Sequence, residues 1–204
     1  MKNKKKLSWK QLKWIIIKVL LISTFLFVWL DIFDIITISR YFMTKILVVS
    51  DTHGNKSELK KLILDNPCDY TFFLGDTTND IDDVKKEIEI PNLYIVKGNW
   101  DIGFKYKTRE YLKIDDIKIL LVHGHGLDVK NNLNTLIDLA KKEKVDLVCY
   151  GHTHIQRENI VDEIVFVNPG AYSNFKGGQY TFAVIQIDNK KISVNMLKKI
   201  KIIC

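Results

Sequence analysis

Thr44-Lys-Ile-Leu-Val-Val-Ser50 runs straight into Asp51-Thr-His-Gly54, and this stretch decides the fold. A short run rich in Val, Ile and Leu that stops abruptly at polar residues and glycine reads as a buried strand followed by a tight loop. The arrangement repeats down the chain. Asp69 to Leu74 leads into Gly75-Asp76, Asn92 to Val96 into Gly98-Asn99, Ile117 to Val122 into His123-Gly-His125-Gly126, and Asp146 to Tyr150 into Gly151-His-Thr-His154. Between these runs, Asn55 to Asn66 and Lys130 to Lys144 have helical periodicity, the second with Leu133, Leu136, Ile137 and Ala140 on one face. The alternation predicts an α/β sandwich. Further on, Ile155 to Val161, Ile164 to Val167, Tyr180 to Ile187 and Lys191 to Ile203 are joined by polar turns at Asp162-Glu163 and Asp188-Asn-Lys190. Those segments predict antiparallel hairpins.

Every polar candidate falls at a strand's carboxyl end, the edge where ligands bind in open α/β sheets because loops from successive strands converge there. All five histidines of the chain, His53, His123, His125, His152 and His154, lie in these loops. A lone strand-end histidine is ordinarily a surface or core residue, and Asp51, Asp76 or Asn99 in isolation could as well form a turn. Taken together the set points to metal ligation. Two divalent cations need oxygen and imidazole donors, one carboxylate to share, and open positions for water and substrate. Asp51 and a shared Asp76 set two negative charges against four positive ones, leaving a field that attracts a phosphate. Neutral Asn99 and the imidazoles ligate without cancelling it.

The chain of 204 residues is 47% apolar, enough for one substantial core and one catalytic domain. Its net charge of +7 is partly terminal, since Lys2, Lys4, Lys5, Lys6 and Lys10 stand in the first ten residues without an acid. No recognition-helix pattern or aromatic-basic interleaving accompanies that charge, so no specific nucleic-acid binding is expected. Cys68, Cys149 and Cys204 are odd in number and lack metal or redox spacing, which suits a reducing compartment. Cys149, inside an apolar run, reads as a small core residue.

Residues 1–42 form a basic, hydrophobic extension. Trp14 to Ile38 is apolar apart from Lys18, Asp31 and Asp34, and Trp14 to Leu30 approaches the ~20 residues of a bilayer span only if Lys18 snorkels. No small-residue cleavage site follows. Three readings stay open: a membrane anchor, upstream sequence translated ahead of a start at Met43, and a soluble amphipathic helix. The functional domain is expected over 43–204, in the cytoplasm, with membrane contact only through residues 1–42.

The motifs D-x-H, G-D, G-N-x-D, H-G-H and G-H-T-H, in this order, resemble the calcineurin-like metallophosphoesterase superfamily from Thr44 to Ile203. The compact length and Asn168-Pro169-Gly170 after the G-H-T-H loop are similar to the small YfcE-type phosphodiesterases. The resemblance implies a metallo-dependent phosphatase-like fold, a four-layer α/β/β/α sandwich of two mixed sheets. It implies one metal held by Asp51, His53, Asp76 and His154, and a second held by Asp76, Asn99, His123 and His152. Manganese is the usual ion, while nickel, zinc, iron or cobalt would suit the same donors. The implied activity is hydrolysis of a small phosphodiester by metal-activated hydroxide, with Asp76, Asn99 and His123 as catalytic residues. The alternatives are a phosphomonoesterase or nucleotidase, and a protein-binding scaffold like the retromer subunit that shares this fold; a homo-oligomer is compatible with each.

Four positions bear on that likeness. Trp100 stands where the wider superfamily commonly has a histidine that protonates the leaving group, although the small subgroup lacks it too. His125 reads as a loop-shaping residue in preference to a substitute proton donor. Asp101 reads as orienting a ligand imidazole. Ala171 replaces a serine common in relatives. Trp100, Phe104, Tyr106, Tyr172 and Phe175 follow ligand-bearing loops and are rim candidates, set against the ordinary core role of aromatic residues.

Overall fold

The computed structural model describes residues 43–174 and 179–199. The expected N-terminal extension, Phe175 and the end of the last hairpin beyond Lys199 lie outside the described residues. No helix among the described residues is long and apolar enough to cross a membrane.

In chain order the elements are β1 (Thr44–Val49), α1 (Lys56–Asp65), β2 (Tyr70–Phe73), α2 (Thr78–Glu87), β3 (Leu93–Ile95), β4 (Arg109–Ile114) and β5 (Ile117–Val122). A short 3-10 turn (His125–Leu127), α3 (Asn134–Glu143), β6 (Leu147–Tyr150), β7 (Gln156–Val161), β8 (Ile164–Pro169), β9 (Thr181–Asp188) and β10 (Lys191–Lys198) follow. They build two five-stranded sheets, ordered β10-β9-β1-β2-β3 and β4-β5-β6-β8-β7. Both are mixed. β1 runs parallel to β2 and antiparallel to β9, while β6 is parallel to both β5 and β8.

The period-2 alternation of strand side chains makes the four layers. Ile46, Val48, Phe72 and Leu74 of the first sheet face Ile119, Leu121, Leu147, Cys149, Val165 and Val167 of the second across a shared apolar core. Their neighbours Leu47, Val49 and Phe73 turn the other way, onto Leu59, Leu62 and Ile63 of α1 and Ile81 and Val84 of α2. On the far side Leu120, Val122, Val148 and Tyr150 receive Leu136 and Ala140 of α3. The order is therefore helix, sheet, sheet, helix. Each fully buried Ile, Leu or Val adds about 1.5–3 kcal/mol by leaving water. Cys149 is one of these core residues, and it and Cys68 are free thiols.

Three departures from the sequence reading have local causes. The helix expected from Lys130 begins only at Asn134, where Asn132 Oδ1 accepts the Asn134 backbone N–H at 2.9 Å. Helix α2 escapes apolar periodicity because Ile81 and Val84 are its only apolar residues. Strand β4 pairs with β5 as a third hairpin, at the edge of its sheet. The turns at Asp115-Asp116, Asp162-Glu163 and Asn189-Lys190 have positive φ at both central residues, between 47° and 67°. That is the handedness that matches strand twist in two-residue hairpins.

Candidate metal centre

The carboxyl ends of β1, β2, β3, β5 and β6 open on one edge of the sandwich. Asp51 and His53 follow β1, Asp76 follows β2, Asn99 follows β3, His123 follows β5, and His152 and His154 follow β6. The structure brings donor atoms of all seven together. Asp51, His53, Asp76 and His154 form one group whose ligand atoms lie within 4.8 Å of one another, and Asp76, His123 and His152 form a second. Asn99 joins the second group, its Oδ1 lying 3.2 Å from His123 Nε2. Asp76 belongs to both.

Protein hydrogen bonds leave these donors pointing at one another. Asp51 Oδ2 accepts the Ser50 hydroxyl at 2.5 Å and the His152 N–H at 3.1 Å. Asp51 Oδ1 is buried and accepts no well-directed hydrogen bond, with His154 Nε2 at 3.1 Å and His53 Nε2 at 4.0 Å. The two ring nitrogens are themselves 3.3 Å apart. Across the cluster, His123 Nδ1 donates to the Leu74 carbonyl at 2.8 Å, so its Nε2 is directed at Asp76 Oδ2 (3.3 Å), Asn99 Oδ1 and His152 Nδ1 (3.2 Å). Acceptor atoms converging around a buried carboxylate oxygen fit a divalent cation of intermediate softness, which satisfies several lone pairs at once. The donor set therefore fits the metals the sequence implies.

The titration behaviour agrees. Burial and the positive potential of His123 and Lys130 push the His152 ring down to about 4, leaving it neutral and able to ligate. His53 is lowered by burial and His154, against the pull of Asp51. Burial would lower His123, but its hydrogen bond to Asp76 and the charge of Asp51 outweigh it and hold the ring above its ordinary value. Asp76 is the converse, pushed up by burial yet held below the usual carboxylate range by His123 and the Trp100 N–H. The pull on His123 comes from the negative potential of Asp51 and Asp76, the same field that a cation would meet there.

Backbone strain marks the same residues. Asp51, His53, Asp76, His152 and His154 all have φ between 46° and 68°, a left-handed region that non-glycine residues rarely adopt. Such angles cost about 1–3 kcal/mol each and persist where the surroundings over-determine them. Gly151 admits the close approach the cluster needs, since a Cβ there would overlap Ser50 Oγ and lie 2.9 Å from Asp51 Oδ2.

Supporting acids explain how the loops hold. Asp101 is not paired with an imidazole: its carboxylate accepts the backbone N–H groups of Asp76 (2.9 Å), Gly98 (2.8 Å) and Thr78 (2.6 Å), which ties the β2 and β3 loops together. Asp80, which sequence reasoning missed, accepts the Thr52 hydroxyl at 2.6 Å and the Gly54 N–H at 2.9 Å, fixing the β1 loop to α2. Asn168 donates to the Gly151 carbonyl at 2.9 Å and to Thr153 Oγ1 at 3.0 Å, bracing the loop of His152 and His154.

Asp82, also missed, anchors the segment beyond Trp100. Burial would raise its carboxyl, but Lys105 Nζ (2.5 Å), the Tyr106 hydroxyl (2.6 Å) and Lys85 Nζ (3.1 Å) hold it below the usual range. Its stabilisation is therefore complete above the unfolded value of about 4 and lost as pH falls through the lower folded one. Water screens the exposed lysines, so Asp82→Asn is expected to cost about 1 kcal/mol at pH 7. Urea melts should show that difference closing as the pH falls below the ordinary carboxylate value.

Of the rim candidates, Trp100 and Phe104 are exposed and Tyr106 is half-buried, whereas Tyr172 is buried against Phe182 and Tyr180 and belongs to the core. His125 opens the 3-10 turn beside the cluster, its ring 5.6 Å from that of His123.

Residues 44–190 match the calcineurin-like phosphoesterase superfamily domain. Over 168 residues the chain is 30% identical to a phosphodiesterase of Methanocaldococcus jannaschii, covering 72% of this chain and 95% of that one. A predicted phosphoesterase from Streptococcus pneumoniae has a crystal structure similar at TM-score 0.65 and 26% identity, over 76% of this chain and 90% of that one. Vacuolar protein sorting 29 from Cryptosporidium parvum shares the fold at TM-score 0.63 and 18% identity, over 78% of this chain and all (100%) of that one. With the two-sheet architecture and the convergent donors already in place, the chain belongs to the calcineurin-like phosphoesterase superfamily, a family of metal-dependent hydrolases of phosphate esters.

Proposed function

We propose that this chain is a phosphodiesterase of small substrates that works with two divalent cations, manganese first among them. One cation sits among Asp51, His53, Asp76 and His154, the other among Asp76, Asn99, His123 and His152. The observation that carries this reading is the Asp76 carboxylate, which is common to both clusters of donor atoms. When bound, a pair of such ions supplies Lewis acidity and water activated for in-line attack on phosphorus.

The chain's own residues do the rest. Asp76 is held by the Trp100 N–H at 2.9 Å on Oδ1, leaving Oδ2 towards His123. His123 is locked by the Leu74 carbonyl, so it does not swing away as charge develops. Asn99 adds a neutral donor that preserves the field attracting the anionic ester. Trp100 supplies no proton to a departing alkoxide, so the site favours esters whose leaving group departs without one. The free thiols of Cys68 and Cys149 suit a reducing cytoplasm.

Preference for a diester draws support from the archaeal relative named a phosphodiesterase. The test compares bis(4-nitrophenyl) phosphate with 4-nitrophenyl phosphate at equal Mn²⁺. We expect kcat/KM for the diester to exceed that for the monoester about tenfold or more, a difference of ~1.4 kcal/mol. The opposite order would make the chain a monoesterase. Hydrolysis of neither would favour a scaffold role, for which the fold shared with vacuolar protein sorting 29 is the support; the complete set of seven donors favours the enzyme.

A further inference from the structure

Strand β4 runs antiparallel to β5, so its first residue stands at the carboxyl end of β5, on the edge that carries the metal donors. Arg109 lies opposite Val122, the residue before His123. Beside this pair is a cavity of about 160 Å³ whose polar side chains are Thr108, Arg109 and His125, with Val122 and Leu127 as its apolar wall. The reaction as described uses none of them. The volume falls below the ~300–1,000 Å³ of sites that enclose a whole small ligand, so the cavity suits one group of a molecule held mainly elsewhere.

The chemistry of this cavity is one-sided. A guanidinium, an imidazole and a hydroxyl can each donate a hydrogen bond, and no carboxylate lines the space. The neighbouring acids are engaged elsewhere: Glu110 pairs with Lys107 at 3.2 Å, and Asp128 Oδ1 accepts the Asn131 side-chain amide at 2.7 Å. Among the described residues Arg109 has no ion-pair partner. An exposed arginine is ordinarily only solvated, but this one borders a cavity that shares a wall with the metal centre, since the His125 ring lies 5.6 Å from that of His123 and 6.2 Å from that of His152. We infer that Arg109, with His125 and Thr108, receives a second phosphate group carried by the ester, which makes phosphodiesters with a phosphorylated arm the preferred substrate class; this rests on the phosphodiesterase reading above. The guanidinium fork matches two phosphate oxygens, and an ester already held at the metal centre presents its second phosphate at high effective concentration.

The experiment keeps one leaving group and varies the other ester arm, using 4-nitrophenyl propyl phosphate and its counterpart with a phosphate on the far end of the propyl chain, both with Mn²⁺. The wild type is expected to favour the phosphorylated arm about tenfold or more in kcat/KM, chiefly through KM, and Arg109→Met to lose about tenfold of that ratio. Arg157→Met removes the same charge from β7, at the opposite edge of the sheet, and is expected to leave the ratio within about twofold. Independently of turnover, the Cε1–H resonance of His125, assigned by its loss in His125→Gln, is expected to shift when inorganic phosphate is titrated into metal-free protein, and to stay in place in Arg109→Met. A ratio unmoved in Arg109→Met, or lowered equally in both arginine variants, overturns the phosphate site. So does a His125 resonance that ignores phosphate or follows it equally in wild type and Arg109→Met. Wild-type protein that hydrolyses neither ester overturns the phosphodiesterase reading and this substrate class with it, whereas an active wild type with an unmoved ratio overturns the inference alone.

Discussion

Asp76→Asn is expected to lower Mn²⁺-dependent diester hydrolysis by about a hundred- to a thousandfold, the scale seen when a group stabilising transition-state charge is removed. The amide keeps the shape of the carboxylate and can still accept the Trp100 N–H on one oxygen. It loses the negative charge, and its NH₂ would face His123 Nε2, where Asp76 Oδ2 lies at 3.3 Å. Because Asp76 belongs to both donor groups, the substitution should loosen both ions together. Metal content after desalting reads this directly, and circular dichroism checks that the fold survives. Retention of one equivalent of metal at wild-type affinity would mean that the carboxylate is not shared.

Gly75→Ala is expected to destabilise the domain by about 3 kcal/mol, since left-handed strain and a steric clash add at one position. Gly75 has φ of 93°, and a Cβ there would overlap Gly98 N and lie 2.8 Å from the Lys97 carbonyl carbon. Those atoms are backbone, so no rotamer change relieves the clash. The Gly75 carbonyl also accepts the Asp51 N–H at 3.0 Å, which makes the residue a spacer between three ligand-bearing loops. Thermal melts should show Tm falling by roughly 6–12 °C. Gly126→Ala, where nothing lies within 4 Å of the added methyl, is the control, with a change expected within about 0.5 kcal/mol. Equal melting of both variants would show that the β2–β3 loops yield where the geometry says they cannot.

The sheet strands and the donor residues were legible because each rests on a local pattern. An apolar run ending in glycine and an acid, amide or histidine announces both a buried strand and what its loop presents. Helix α2 was not legible, since Thr78-Asn-Asp-Ile-Asp-Asp-Val-Lys-Lys-Glu87 has an apolar face two residues wide. Its acids Asp80 and Asp82 are buried because Thr52, Gly54, Lys105 and Tyr106, remote in sequence, receive them. Asp101 was misread for a related reason: its partners are backbone amides, which every residue but proline offers, so the sequence carries no trace of the pairing. The left-handed φ of five ligands was likewise invisible, because nothing in the identity of Asp51 or His152 announces a backbone angle.

The first sheet contributes Asp51, His53, Asp76 and Asn99, and the second contributes His123, His152 and His154. The cluster is thus a clasp closed across the seam between two halves of the domain. Neither half holds a complete set of donors, so the clasp exists only after both sheets have docked face to face. Ion capture then becomes a late event in refolding, and a bound ion resists the first parting of the sheets along that seam.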